Sequence, residues 1–296
     1  ILKYIVKKNK YQSINQILKQ KFKISARLQH KLITSKQIFL NGNQADSRIA
    51  PQINDVITVN LDFNEESENI IPTQMSLNIV YEDEALLILD KPAGIAVHPS
   101  ILHYTDSLAN GIKYYFDTIG LKRKIRPVNR LDLNTSGLIV FAKNEYVQEC
   151  LIQQMQTNEF KKEYLAIVHG IFEKTQGTIN LPIARKENSI IERCISEDGQ
   201  EAVTHYEVLK TSNDLSLVHC ILQTGRTHQI RVHMSAIRHP LVGDTLYGFN
   251  FSDSITRQAL HSYKISFIHP ISHNPIIIMS KLPEDMDKIL NTIKFS

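Results

Sequence analysis

Residues 126–144 read RPVNRLDLNTSGLIVFAKN, and the run Leu138-Ile139-Val140-Phe141-Ala142 within them constrains the fold more than any other stretch. A short, unbroken apolar run bounded by turn residues is a buried strand, so the rest of the chain must pack around it. The run opens on Asn134-Thr135-Ser136-Gly137, where Gly137 permits a tight turn. Just ahead of that turn stands Asp132, two residues after Arg130. An isolated aspartate before a turn usually caps its own backbone. This one sits on a loop pinned by a rigid strand, which is where catalytic groups commonly lie.

The 296-residue chain supplies an ordinary core, with 42% hydrophobic and 22% charged residues. No apolar run approaches the roughly 18 residues of a membrane helix. The opening ILKYIVKKNK is too short and too lysine-rich for a signal peptide. Because it begins on Ile rather than Met, a trimmed amino terminus is expected. Cys150, Cys194 and Cys220 lie far apart with no CxxC, which points to a reducing compartment, the cytoplasm by default, and to no zinc site.

Charge is unevenly distributed. Residues 1–62 hold 11 lysines and arginines against three acidic residues, a net +8, and the remainder holds 23 against 27, a net −4. A small basic unit ahead of a near-neutral body points to a polyanionic partner, most simply nucleic acid. Within the basic unit, Ile14, Ile17 and Leu18, then Leu28, Leu32 and Ile33, fall at helical spacing, with Ser25 as the N-cap of the second helix. Ile38 and Leu40 then alternate up to Asn41-Gly42, a hairpin turn, and Val56, Ile57 and Val59 close the hairpin. Arg27, Lys31 and Lys36 lie on or beside the second helix. This pattern over residues 13–61 resembles the S-four RNA-binding domain, and the resemblance makes those three cations RNA contacts.

An acidic, proline-containing linker over 63–75 separates residues 1–62 from a body over 76–296. Strands are predicted at LNIVYED, ALLILD, GLIVFAK, KEYLAIVHG, AVTHYEVLK, LSLVHCILQ and NPIIIMS, and helices near 106–117, 145–157, 228–238 and 283–293. Strands that follow one another without a helix between them indicate an α+β body with a mostly antiparallel mixed sheet.

Three further stretches carry candidate chemistry. In LQTGRTHQIRVHMSAIRHPLVGDTLYG, Thr227 is placed to cap a helix whose face carries Ile230, Met234 and Ile237. Arg226 then stands at the helix entrance, where the dipole disfavours a cation, so a carboxylate or phosphate partner is expected. His228 and His233 are five apart, which fits no HExxH zinc pattern and marks both as structural. Tyr164 alternates with Lys162 and Ala166 along a strand, and LDKPAGIAVHPS is a proline-led turn.

In this order, LDKPAGIAVHPS, VNRLDLNTSGL, KEYLAIVHG and TGRTHQIRVHMSAIRHPLVGDTLYG resemble the motifs of the RluA-type pseudouridine synthases across residues 77–283. That resemblance implies isomerisation of uridine to pseudouridine in RNA, with large-subunit ribosomal RNA as the expected substrate, no metal, no cofactor, no membrane and a monomeric chain. It makes Asp132 the essential carboxylate, acting on the sugar, the ring or a ribose proton, and Tyr164 the ring that stacks on the flipped uracil. Arg226 becomes the counter-ion of Asp132, Arg130 a contact to the vacated stack or its phosphate, and Ile230 a pocket wall. Asn129 stands where the family carries histidine. Since asparagine also donates and accepts, a tuned substrate loop is expected there. The rival reading is a non-catalytic RNA-binding ribosome-assembly factor, which has no need of Asp132, Tyr164 and Arg226 together.

Overall fold

The Leu138–Ala142 run lies in a strand with every residue buried, because it has an apolar layer on each side. Leu138 and Val140 turn to one face and Ile139 and Phe141 to the other, the two-residue period of a pleated strand. The computed structural model describes residues 1–65, 67, 69–212, 214–248 and 255–292. No helix among them is long and apolar enough to cross a membrane.

The amino-terminal unit comprises β1 (Leu2–Ile5), α1 (Ile14–Gln20), α2 (Ala26–Thr34), β2 (Ile38–Leu40), β3 (Asn43–Gln44) and β4 (Val56–Val59), its sheet ordered β1-β4-β2-β3. The Ser25 hydroxyl accepts from the Leu28 N–H and starts α2. Asn41 and Gly42 both adopt positive φ, 51° and 85°, as a two-residue hairpin turn requires. β1 escapes the sequence reading; it pairs antiparallel with β4, Leu2 opposite Val59.

The body continues with β5 (Ile79–Glu82), β6 (Leu86–Lys91), α3 (Leu108–Thr118), β7 (Arg126–Pro127), β8 (Ser136–Ala142), α4 (Glu145–Gln156) and β9 (Lys161–His169). After these come β10 (Gln176–Asn180), β11 (Ile183–Arg185), β12 (Arg193–Ile195), β13 (Val203–Ser212), β14 (Leu215–Leu222) and α5 (Gln229–Ala236). The last elements are β15 (Leu260–Ile268), β16 (Pro275–Met279) and α6 (Glu284–Thr292). The large sheet runs β10-β13-β14-β9-β15-β8-β6-β5 and is antiparallel except where β15 runs parallel to β8. β11 and β12 form a separate hairpin.

β15, at the centre of the sheet, was not predicted. A register shift between Ser262 and Lys264 breaks its alternation, and it buries His261 and Ser262. Gly137 is where it meets β8: at φ 109°, any Cβ there would overlap the Ser262 backbone.

The segment between the two units is tied to the body: Glu65 N–H bonds Lys122 O, Thr73 N–H bonds Asn110 O, and Asn110 Nδ2 donates to Ile71 O. Cations of α2 also reach acids outside the amino-terminal unit, although Arg27 stays largely exposed. Arg27 Nε lies 3.4 Å from Glu145 Oε1, Lys31 pairs with Glu65 and lies 3.7 Å from Glu145 Oε2, and Ser25 Oγ donates to Glu149 Oε1 at 2.6 Å. These acids belong to α4 and to the segment leading into the body. Lys36 is exposed at positive φ.

His261 makes the fold acid-sensitive. It is 1% exposed, its Nδ1 lies 2.9 Å from Ser136 Oγ, and burial, aided by Arg257, pushes it down to about 4. The unfolded chain, with the ordinary value near 6.5, therefore binds a proton that the native state refuses. Stability present above pH 6.5 is lost as pH falls toward 4, by about 2–3 kcal/mol at pH 4.5. His261→Gln is expected to remove that part of the pH dependence in urea unfolding at pH 7.5 and 4.5; an undiminished difference refutes it.

Candidate active site

The site forms at one end of the sheet, where β8 and β15 begin. His261 pairs with Ser136, and Tyr164 of β9 pairs with Ser262 on one side and Cys220 of β14 on the other. The loop joining β7 to β8 carries Asp132 across this end.

That loop has little regular structure, so its polar backbone groups are satisfied by side chains from elsewhere. Asn129, 4% exposed, donates to Leu138 O and accepts from Val140 N–H, bracing the loop against β8. The asparagine thus uses both hydrogen-bonding functions on backbone. Leu133 O accepts from Lys91 Nζ at 2.8 Å and from Gly94 N–H at 3.0 Å. Lys91 also donates to Pro92 O and Ile95 O, so one ammonium ties the proline-led turn to the aspartate loop. Burial lowers Lys91 to about 7 while Asp132 pulls it back up. The three carbonyls also favour the ammonium. On the far side, Arg257 donates to Asn134 O while gripping Asp285 of α6 with two bonds of 2.6 and 2.8 Å.

The counter-ion of Asp132 is Arg231, not Arg226. Arg231 Nη1 lies 3.4 Å from Asp132 Oδ2. Its Nε and Nη2 bind Asp244 at 2.7 and 2.8 Å, and the Asp244 side chain is fully buried. Asp244 also accepts from Leu246 and Tyr247 N–H, so the buried carboxylate is satisfied and its two-point grip aims the guanidinium. Burial opposes the charge on Arg231, but Asp244 and then Asp132 outweigh it and hold the group above its ordinary value.

Arg226 misses this pairing because of how the helix starts. Thr227 does not cap it. His228 does, in the left-handed region at φ 59° and ψ 19°, and Gln229 Oε1 turns back to accept from Arg226 N–H and Thr224 Oγ1. Arg226 is left outside the helix, its Nε donating to Glu201 O, while still lining the recess in front of Asp132. Arg231, within the first turn, points inward. The signal was available in Ile230-Arg231-Val232: an arginine inside an apolar helical stretch needs a buried acid, and Asp244 lies in the same motif.

The two histidines also differ. His233 is structural, bonded to Thr204 Oγ1 and Leu181 O. His228 is not: its Nδ1 lies 2.8 Å from Tyr247 Oη and its Nε2 lies 3.9 Å from Asp132 Oδ1. Burial lowers its pKa and Asp132 raises it, with burial prevailing.

These groups surround a recess of 280 Å³. Asp132, Arg130, Lys162 and His228 supply its polar lining, and Tyr164, Ile230 and Leu260 are among its apolar walls. Tyr164 is 5% exposed, and burial followed by the nearby Asp132 raises its phenol far above the ordinary value. It therefore stays neutral and offers a ring face and a hydroxyl. The result is a fixed carboxylate beside a neutral aromatic wall, with cations at the mouth. That arrangement can supply a nucleophile or a proton acceptor to a molecule seated against the aromatic wall.

Residues 85–236 match the family described as RNA pseudouridylate synthase. Among curated relatives, the RNA pseudouridine synthase YhcT of Bacillus subtilis is 40% identical over 278 residues, covering 93% of this chain and 91% of that protein. The ribosomal large subunit pseudouridine synthase D of Xanthomonas campestris is 32% identical over 275 residues, covering 88% and 82%. In fold, the chain is similar to human RNA pseudouridylate synthase domain containing 4, with a TM-score of 0.60 at 23% identity over 74% of this chain and 94% of that one.

The two arginines are separable by stability. Asp244→Ala strands the buried Arg231 guanidinium and is expected to cost about 3–5 kcal/mol in urea unfolding. Arg226→Ala removes one bond to a backbone carbonyl at the surface and is expected to cost under about 1 kcal/mol. Equal losses would refute the buried Arg231–Asp244 pair as the stronger structural contact.

Proposed function

The chain belongs to the RNA pseudouridylate synthase family and is an RNA pseudouridine synthase, and we propose that Asp132 is the carboxylate that carries its isomerisation. The observation that carries this reading is the chain of contacts Asp244–Arg231–Asp132, which ends on a partly open carboxylate in a recess walled by Tyr164. Detaching uracil from ribose, turning it and rejoining it through carbon needs a group that attacks the sugar or ring, or removes a ribose proton. In each route a carboxylate is the acting group, and the Arg231 guanidinium stands 3.4 Å from it.

Within this reading Tyr164 packs on the ring face of the target uracil, and Ile230 supplies apolar wall. Tyr164, in the wall of the recess, is buried, so a uridine reaches it only after leaving its stack, at a cost of roughly a few kcal/mol. Arg130, exposed at the mouth, contacts the vacated stack or the phosphate beside it. The basic amino-terminal unit adds sequence-independent phosphate affinity through its exposed lysines, Lys36 among them, while Arg27 and Lys31 first hold the unit against α4. Ribosomal RNA of the large subunit is the proposed substrate, in keeping with the names of relatives such as the Xanthomonas synthase.

The test is release of tritium from RNA labelled at uracil carbon 5, which accompanies isomerisation. Asp132→Asn is expected to lower release by at least about 10³-fold, the scale of losing a positioned acid–base group or more, with RNA affinity nearly intact. Wild-type-like turnover in that variant would defeat the assignment, and free uracil in the products would point to hydrolysis instead.

A further inference from the structure

A second recess, of 380 Å³, opens beside the first and shares Arg130, Gly225, Arg226 and Thr227 with it. Its outer wall is the β11–β12 hairpin. In that hairpin Arg185 lies directly opposite Arg193, a cross-strand pair of like charges. Such a pair is destabilising by itself.

The surroundings add more positive charge. Arg130, Arg185, Arg193 and Arg226 all line the recess, and Asp198 is the one acid there. Lys162, 8% exposed, lines the neighbouring recess, where burial and then the like charges of Arg130 and Arg226 pull it down to about 8. Among the described residues none of these five cations forms an ion pair with a carboxylate, although the chain pairs many of its other lysines and arginines. Arg193 Nη1 and Arg226 Nε reach only backbone carbonyls.

The hairpin is held in place. Ile183 exchanges backbone bonds with Gln200, Ser196 N–H bonds Pro182 O, and Arg193 N–H donates to Tyr247 Oη at 2.7 Å. Ile183, Ala202 and Val232 of α5 share a small apolar cluster beneath it. The arginines are therefore carried on a braced frame, and their mutual repulsion is not relieved by the hairpin swinging away.

We infer that this recess binds the phosphodiester backbone of the RNA strand beside the target nucleotide, with Arg185 and Arg193 as its outer clamp; the inference rests on the function proposed above. A polyanion supplies the counter-charge that the protein lacks here, and guanidinium forks suit phosphate oxygens. Because the two recesses share a wall, phosphates held in one are near neighbours of a base held in the other. The Tyr247 hydroxyl, which touches both Arg193 N–H and His228, links the clamp to the group facing Asp132.

The experiment measures binding of fluorescein-labelled oligouridylate to the full chain across a salt series. For single strands, log affinity falls against log salt with a slope of about 0.7 per phosphate contact. The double variant Arg185→Gln/Arg193→Gln is expected to make the slope shallower by roughly 1 to 1.5. Arg185→Lys/Arg193→Lys, which keeps the charges, is expected to restore most of it. A glutamine variant with the wild-type slope overturns the inference, as does a lysine variant that recovers nothing. Since the slope is read without turnover, wild-type protein that releases no tritium would sink the isomerase reading while leaving the phosphate measurement standing.

Discussion

One guanidinium, Arg231, serves two carboxylates, and it serves them unequally. Asp244 takes two short, parallel bonds deep in the protein, and Asp132 receives one contact at 3.4 Å. Charge-assisted hydrogen bonds contribute about 1.5–3 kcal/mol each, so the Asp244 side fixes the guanidinium and Asp132 contributes little to that. A carboxylate locked in a two-point bridge would have its lone pairs committed. Asp132 receives the field of the cation and keeps its oxygens facing the recess. Asp244 therefore matters to chemistry through its neighbour.

The loop bearing Asp132 is held by the same division of labour. Lys91 and Arg257 each bring a long cationic side chain to its backbone from a different part of the chain, and Asn129, within the loop, bonds the backbone of β8. These bonds replace water that a surface loop would otherwise use. They also bring two further cations close to Asp132. Lys91 bears the larger cost of burial, and the attraction of Asp132 offsets part of it. Loop geometry and electrostatics are therefore coupled: changing either lysine or aspartate alters the other.

Local patterning made much of this legible. The apolar run before Lys143, the alternation in β9 and the cap at Ser25 are properties of a few consecutive residues, and each stands in the structure near its predicted place. The motifs also brought Asp132, Tyr164, Arg130 and Ile230 to one recess. What failed was set at a distance. The Arg231–Asp132 contact spans 99 residues, and periodicity cannot choose between two arginines five apart. The left-handed turn at His228 displaced the expected cap by one residue, which kept Arg226 outside and brought His228 in. β15 was missed because a bulge and two buried polar residues hid a central strand behind a surface-like pattern.

Charge shows the same limit from another side. The net +8 of residues 1–62 marked that unit as the part suited to a polyanion, and the −4 of the remainder gave no such mark to the body. Net charge, however, counts residues and ignores which of them already have partners. Lys31 and Arg27 have acidic partners at α4 and in the adjoining segment, whereas Arg130, Lys162, Arg185, Arg193 and Arg226 have none among the described residues, although they stand in the acidic part of the chain. At an ionic strength of 0.15 M, charges beyond about 8 Å are largely screened, so a phosphate at the mouth responds to these five and scarcely to distant glutamates. On the proposed reading, attraction for RNA is strongest where repulsion within the protein has been left unrelieved, and that recess adjoins the one that holds Asp132.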